Sequence, residues 1–213
     1  MKNKKVNVKA ISYLQKISKE INGKISLTNP EDDGRLNSAI DEEQVCNLVA
    51  KACKKLGYEY IEAPIRNWYD FAFKADGQFF PVNVKISECN NPDNISSKIG
   101  MFYALTGIEP TEELNGWETF NQKLVENINY SGNSDYYFLV VDKKDNMSFV
   151  TSLMNINTLV PNGNNLPFQA KWNDNRTFSK RTREEAVNYV FNTYVESCKK
   201  RIQPFAVLEQ YMK

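Results

Sequence analysis

Hydrophobic positions along the chain follow two periods, and the switches between them set the order of elements. Residues 6–21 carry apolar positions at helical spacing and stop at Asn22-Gly23, which predicts an opening helix. A polar loop spans residues 28–34. From near Ser38, apolar residues at 45, 48, 49, 52, 53 and 56 share one helical face that closes at Gly57. On that helix Glu42 lies beside the apolar stripe and Glu43 nearly opposite it. The period then drops to two. Residues 58–62 predict a strand, and residues 68–87 predict a hairpin turning at Asp76-Gly77, the favoured two-residue type I′ sequence.

That turn fixes the register. Tyr69 falls opposite Val84, Phe71 opposite Val82 and Phe73 opposite Phe80, so one face of the pair is wholly apolar. The other face sets Asp70 opposite Asn83, with Lys85 further along the same face. A carboxylate, an amide and an amine thus meet at one end of a hairpin, and the bland alternative is a surface salt bridge on an exposed sheet face. Beyond the hairpin the pattern predicts a helix capped near Asn91 or Asp93 and closed around Gly107, and a second helix over residues 113–127. The continuous apolar run 135–142 reads as a strand covered on both faces, paired with residues 147–153. A loop at 161–167 and a short strand at 168–172 precede a long helix from Thr182, interrupted near Pro204. No repeat or linker divides the chain, so residues 1–213 form a single domain of the α/β class, a central mixed β-sheet flanked by helices.

Composition narrows the chemistry. The chain has no histidine, which excludes Ser-His-Asp and Cys-His machinery and histidine-ligated metals. Any acid–base work falls to carboxylates, Lys, Tyr or a metal-bound water. The four cysteines (Cys46, Cys53, Cys89, Cys198) have no zinc-ligand spacing, and Cys53 belongs to the apolar stripe. A net charge of +1 argues against indiscriminate polyanion binding but not against a local basic groove. The most basic stretch runs from Lys171 to Arg201, where Lys199, Lys200 and Arg201 also suit a solvated helix face. Neither a signal peptide nor an apolar run of membrane-spanning length is visible, so the expectation is a soluble, cytoplasmic protein without a membrane partner.

The hairpin end suits phosphodiester hydrolysis, which needs a hard divalent cation and charge stabilisation at phosphorus. Asp70 offers an oxygen ligand, the Val84 carbonyl a second, and Glu42 a carboxylate from the neighbouring helix. Lys85 is placed to orient the attacking water or offset developing charge.

These residues carry a resemblance. Gly57-Tyr58, Glu62-Ala-Pro-Ile-Arg-Asn-Trp-Tyr-Asp70-Phe and Pro81-Val-Asn83-Val-Lys85 resemble, in order and spacing, the core of type II restriction endonucleases of the PD-(D/E)XK superfamily. The blunt-cutting EcoRV and HincII subgroup is the most similar, with Glu42 where EcoRV has an acidic residue and Thr182-Arg-Glu-Glu resembling the end of HincII. The match covers residues 38–105 and thins beyond them, and its motif is short. It implies a restriction-endonuclease-like fold and a Mg²⁺-dependent enzyme, with Mn²⁺ able to substitute. Such an enzyme is a homodimer cutting double-stranded DNA at a short palindrome, with Asp70, Asn83, Lys85 and Glu42 catalytic and Asp70, Glu42 and Val84 holding the metal. It also implies a minor-groove loop at Arg66, Asn67 and Trp68. Major-groove readers would be Asn162, Asn164, Asn165, Gln169, Lys171 and Asn173, because Asn and Gln pair bidentately with adenine.

Trp68 could equally be core, and residues 162–165 an ordinary turn. Two departures stand out: Tyr69 replaces the usual proline, and Asn83 replaces the second acid. Glu42, Glu88 and Asp93 are candidates to compensate. An N-x-K form followed by Asp-Asn, as at Asp93-Asn94, and an inactivated Asp-to-Asn site both remain open. So do two other functions: a nicking repair nuclease or junction resolvase, and a DNA-binding protein that has lost catalysis.

Overall fold

Asp76 and Gly77 both take positive φ (50° and 72°), the left-handed pair that a type I′ turn demands. From this turn, β2 (Phe71–Ala75) and β3 (Gln78–Ser87) zip together antiparallel, with Phe71 opposite Val82 and Phe73 opposite Phe80, the register the turn predicted. The ladder stops earlier than predicted, because Tyr69 does not pair with Val84. The Asp70 backbone N–H still donates to the Val82 carbonyl at 3.0 Å, but its side chain takes the next donor, the Val84 N–H. Beyond Phe71, β3 therefore has no strand on that edge.

These elements belong to a computed structural model that describes residues 8–28, 34–95, 98–164 and 167–209. β1 (Glu59–Glu62) pairs with β2, and β5 (Tyr137–Asp142) runs parallel to β3 and pairs antiparallel with β6 (Met147–Ser152). The central sheet is thus five-stranded and mixed, in the order β1-β2-β3-β5-β6. Every residue of β5 is buried, as its unbroken apolar run required.

The sheet separates two cores. One face packs α1 (Val8–Ile21) and α2 (Gly34–Leu56) through Leu14, Ile17, Val45, Val49 and Cys53 against Phe71, Phe73, Phe80 and Val82. Each of these phenylalanines contributes roughly 1.5–3 kcal/mol through burial alone. The other face packs α3 (Lys98–Thr106), α4 (Trp117–Asn127) and α5 (Arg183–Ile202) around Phe102, Phe120, Phe138 and Trp172. Thr182 caps α5 through a capping box with Glu185, which explains why the boundary was legible.

Four boundaries differ from expectation. The second helix begins at Gly34 rather than near Ser38, and residues 29–33 of the preceding loop lie outside the described residues. The 113–127 helix is broken at Gly116, with a 3₁₀ turn before it. The 168–172 strand ends at Ala170, and Trp172 opens a 3₁₀ turn. Asp93 is not a helix cap, and Asn94 does not belong to the helix. They lie in β4 (Asp93–Ile95), which pairs with β8 (Phe168–Ala170), itself paired with the short β7 (Val160–Pro161), to form a second, three-stranded sheet. The partner of β4 is remote in sequence, so local cap chemistry could not reveal it. Among the described residues, no helix is long and apolar enough to cross a membrane.

Candidate active site

Where β2 ends, the exposed edge of β3 and the last residue before β2 form a notch. Asp70 Oδ2 accepts two hydrogen bonds there, from the Val84 backbone N–H and from Asn83 Nδ2, both at 2.6 Å. A residue's N–H and C=O point to the same edge of a strand. The Val84 carbonyl therefore faces the same vacated edge as its N–H, as a ligand role requires. Asn83 is only 6% exposed, and its Oδ1 has no hydrogen-bond partner among the described residues.

Electrostatics tie four of the predicted residues together. Asp70 is pushed up to about 7, first by burial and then by the neighbouring charge of Glu42, against the opposing pull of the Val84 N–H and Lys85. Glu42 is also raised, by burial, with Lys85 again opposing. Glu42 is half-buried and Glu43 exposed, as their places on the helix wheel predicted. Asp70, Glu42 and Lys85 are thus within electrostatic range, and Asn83 and Val84 complete the group.

The other candidates for a compensating acid are engaged elsewhere. Asp93 accepts the Trp172 indole N–H at 2.8 Å, and exposed Glu88 accepts from Asn91 at 3.1 Å.

A divalent cation fits this donor set. The available ligands are oxygens (the Asp70 and Glu42 carboxylates, the Val84 carbonyl and the orphaned Asn83 Oδ1), which suit Mg²⁺ or Mn²⁺ rather than a soft metal. Two carboxylates held in a poorly hydrated notch, with raised proton affinity, lack the positive charge that such an ion brings. Among the described residues, no three His, Cys, Asp or Glu side chains form a metal-holding cluster. The set therefore depends on the amide and carbonyl oxygens as well as the two acids.

Two further side chains line this neighbourhood. The buried Tyr136 hydroxyl donates to the Trp68 carbonyl at 2.6 Å and is raised well above the usual phenol range by burial and by Asp70, with Asn83 opposing. The thiol of Cys46 is pushed up to about 12 by burial and by Asp70 and Glu42, so it is no nucleophile at neutral pH. Only the parallel pairing of β5 with β3 brings Tyr136 here, and no local motif announces it.

The residues expected to hold DNA divide. Arg66 is exposed with φ 63°, on the turn closed by the Asn67 N–H to Pro64 carbonyl bond at 3.1 Å. Asn67 Oδ1 accepts the Trp68 N–H at 2.8 Å. Trp68 is not free to wedge into DNA. Its ring packs on Tyr69, Tyr103 and Tyr136 at centroid distances of 5.0, 5.2 and 5.9 Å, and the apolar side chain at this loop's tip is Ile65, 95% exposed.

Asn162 and Gln169 converge on Asn94 at the second sheet, and Asn164 is exposed beside them. Lys171 is exposed. Asn173 is braced on both sides, donating to Asn90 and accepting from Arg176 Nε at 2.7 Å. Asn165 lies outside the described residues. The basic end of α5 is only partly a solvated face. Lys199 pairs with Glu196, whereas Arg201 donates to the carbonyls of Gly163 and Asn164.

A scan against protein-family models finds no match, and a search of curated proteins finds none.

Proposed function

We propose that this protein is a type II restriction endonuclease, hydrolysing phosphodiester bonds of double-stranded DNA at a short palindrome with Mg²⁺, or Mn²⁺ in its place. The observation that carries this reading is the notch at the end of β2, where Asp70, Asn83 and the Val84 backbone are bonded together within electrostatic range of Glu42 and Lys85.

Asp70 and Glu42 would hold the ion, with the Val84 carbonyl and Asn83 Oδ1 as neutral ligands. Bound there, the cation supplies Lewis-acid polarisation of the phosphate. Lys85, on β3 within electrostatic range of Asp70 and Glu42, would orient the attacking water and offset charge developing on the phosphoryl oxygens. The buried wall of Tyr136 and Phe138 keeps the notch poorly hydrated, which strengthens each of these interactions.

Each protomer of a homodimer cuts one strand, so a two-fold DNA site gives a double-strand break. The Ile65–Arg66 turn lies next to the site in sequence and faces the minor groove.

One observation favours a second reading. Asn83 Nδ2 donates onto Asp70 Oδ2, the oxygen a cation would otherwise take, which suits a DNA-binding protein that has lost catalysis.

Plasmid DNA incubated with Mg²⁺ or Mn²⁺ and the native, Lys85→Ala and Asn83→Asp proteins separates the two. Discrete fragments from the native protein that disappear in Lys85→Ala support the nuclease. Binding without cutting, with cleavage gained in Asn83→Asp, supports the inactive form. No cleavage by either the native protein or Asn83→Asp rejects the enzyme. Single nicks, or cutting confined to branched DNA, would instead point to a repair nuclease or resolvase of the same fold.

A further inference from the structure

The second sheet carries a row of three side chains on its outer face. Asn94 on β4, Gln169 on β8 and Val160 on β7 are directly opposed in the two ladders, so they project to the same side. Phe168 and Ala170, the neighbours of Gln169, point into the core, and Val160 is 48% exposed.

The row has a fixed hydrogen-bond polarity. It starts from a backbone donor, the Asn164 N–H, which donates to Asn162 Oδ1 at 3.2 Å. That bond turns Asn162 Nδ2 outward to Asn94 Oδ1 at 3.1 Å, and Asn94 Oδ1 accepts a second bond from Gln169 Nε2, also at 3.1 Å. A peptide N–H cannot reverse its role, so each carboxamide down the chain is held in one orientation. Gln169 therefore keeps one Nε2 proton and an Oε1 that has no partner among the described residues, with Nε2 on the Asn94 side of the row.

The first link is itself anchored. Arg201 donates to the carbonyls of Gly163 and Asn164, and a Cβ at Gly163 would meet the Lys200 backbone at 3.2 Å. A side chain there would push the loop back from α5 by a few tenths of an ångström.

The major-groove edge of an A·T pair presents, in order, adenine N7, adenine N6–H, thymine O4 and the thymine methyl. Gln169 offers a donor on its Asn94 side and an acceptor on the same carboxamide, and Val160, opposite Gln169 in the other ladder, offers an apolar surface for the methyl. We infer that Asn94, Gln169 and Val160 form a reading row for one A·T pair in the major groove, with Gln169 bidentate on adenine, Val160 on the thymine methyl and Asn94 as the positioning residue that sets the polarity of Gln169. This rests on the DNA-cleaving reading above and adds one base pair of the target and the residues that choose it.

The test uses the full-length native protein, a pool of duplexes with a randomised centre, Mg²⁺, and sequencing of what is bound and cut. Native protein should require A at one symmetric pair of positions. Gln169→Ala and Asn94→Ala should each relax that position by roughly ten- to a hundredfold while leaving the others unchanged. Asn94→Asp keeps an acceptor towards Asn162 and Gln169, so it should retain the preference for A while its added charge weakens binding to all sequences alike. On the selected duplex, replacing the partner thymine by uracil should weaken native binding about fourfold, the worth of one buried methyl, and should have no effect in Val160→Ala.

A native preference for A that survives both alanine variants overturns the inference and leaves the nuclease reading standing. Preference lost equally at every position means a merely structural role and also overturns it. A native protein that neither binds nor cuts any duplex removes both.

Discussion

Asp76 and Asp70 belong to one hairpin and share its register, yet their surroundings drive them in opposite directions. At the turn, Asp76 stands in water, paired with Lys9 at 2.6 Å and with the Tyr13 hydroxyl, and the Lys9 bond holds its carboxyl below the usual range. At the other end, Asp70 faces a notch with no strand beside it, and burial with Glu42 pushes it up to about 7. Well-solvated charges are cheap and inert, whereas a carboxylate held poorly solvated next to another carboxylate stores a demand for positive charge. That demand singles out the Asp70 end as the candidate site.

Cleavage should separate the two ends of the hairpin most. Asp70→Ala should abolish cutting of plasmid DNA while metal-free DNA binding persists, and Asp76→Ala should leave the fragment pattern unchanged. Equal loss in both would mean that the hairpin matters only as scaffold. Lys85→Ala should lower the single-turnover rate by roughly 10²–10³-fold at unchanged DNA affinity.

Phe73, fully buried between the two aspartates, tests that scaffold. Phe73→Ala should cost about 3–5 kcal/mol in urea unfolding.

The pH dependence of stability sharpens the contrast. Asp70 is raised from 3.8 to about 7, so the folded chain keeps a proton that the unfolded chain has released. Its contribution is fully present below pH 3.8 and is lost as pH climbs to about 7. Without metal, Asp70→Asn should therefore stabilise by on the order of 2 kcal/mol at pH 8, or roughly 4–8 °C in Tm, and by nothing near pH 3.5. Mg²⁺ should raise the Tm of the native protein most above pH 7, and that of Asp70→Asn hardly at all. Asp76 carries the opposite sign: its contribution is present above 3.8 and lost as pH falls. Being exposed, it is also small. Lys9→Ala should lower Tm only slightly, and 1 M salt should erase the difference.

Much of the candidate site was legible because it lies on one hairpin. Asp-Gly fixes a type I′ turn, the turn fixes register, and register puts Asp70 beside Asn83 and Lys85 without reference to the rest of the chain. Glu42 was legible through helical periodicity, which assigned it to the sheet side and Glu43 to solvent. The fate of Trp68 was not, because half-burial against Tyr103 and Tyr136 depends on α3 and β5 arriving at the same place. Nor was the role of Asn94, placed at the start of a helix capped near Asn91 or Asp93, because its strand partner lies far down the chain.

The elements held by local forces follow from the chain alone: the glycine-borne turn, the capping box at Thr182, the all-apolar β5 and the alternation that separates the two faces of the hairpin. Long-range packing sets where β2 stops, brings Glu42 within electrostatic range of Asp70, and joins Asn162, Asn94 and Gln169 in one chain of hydrogen bonds. Local forces act over a few residues and can be read along the chain. Burial, electrostatic coupling and cross-strand partners act through space, and they exist only once distant segments have packed.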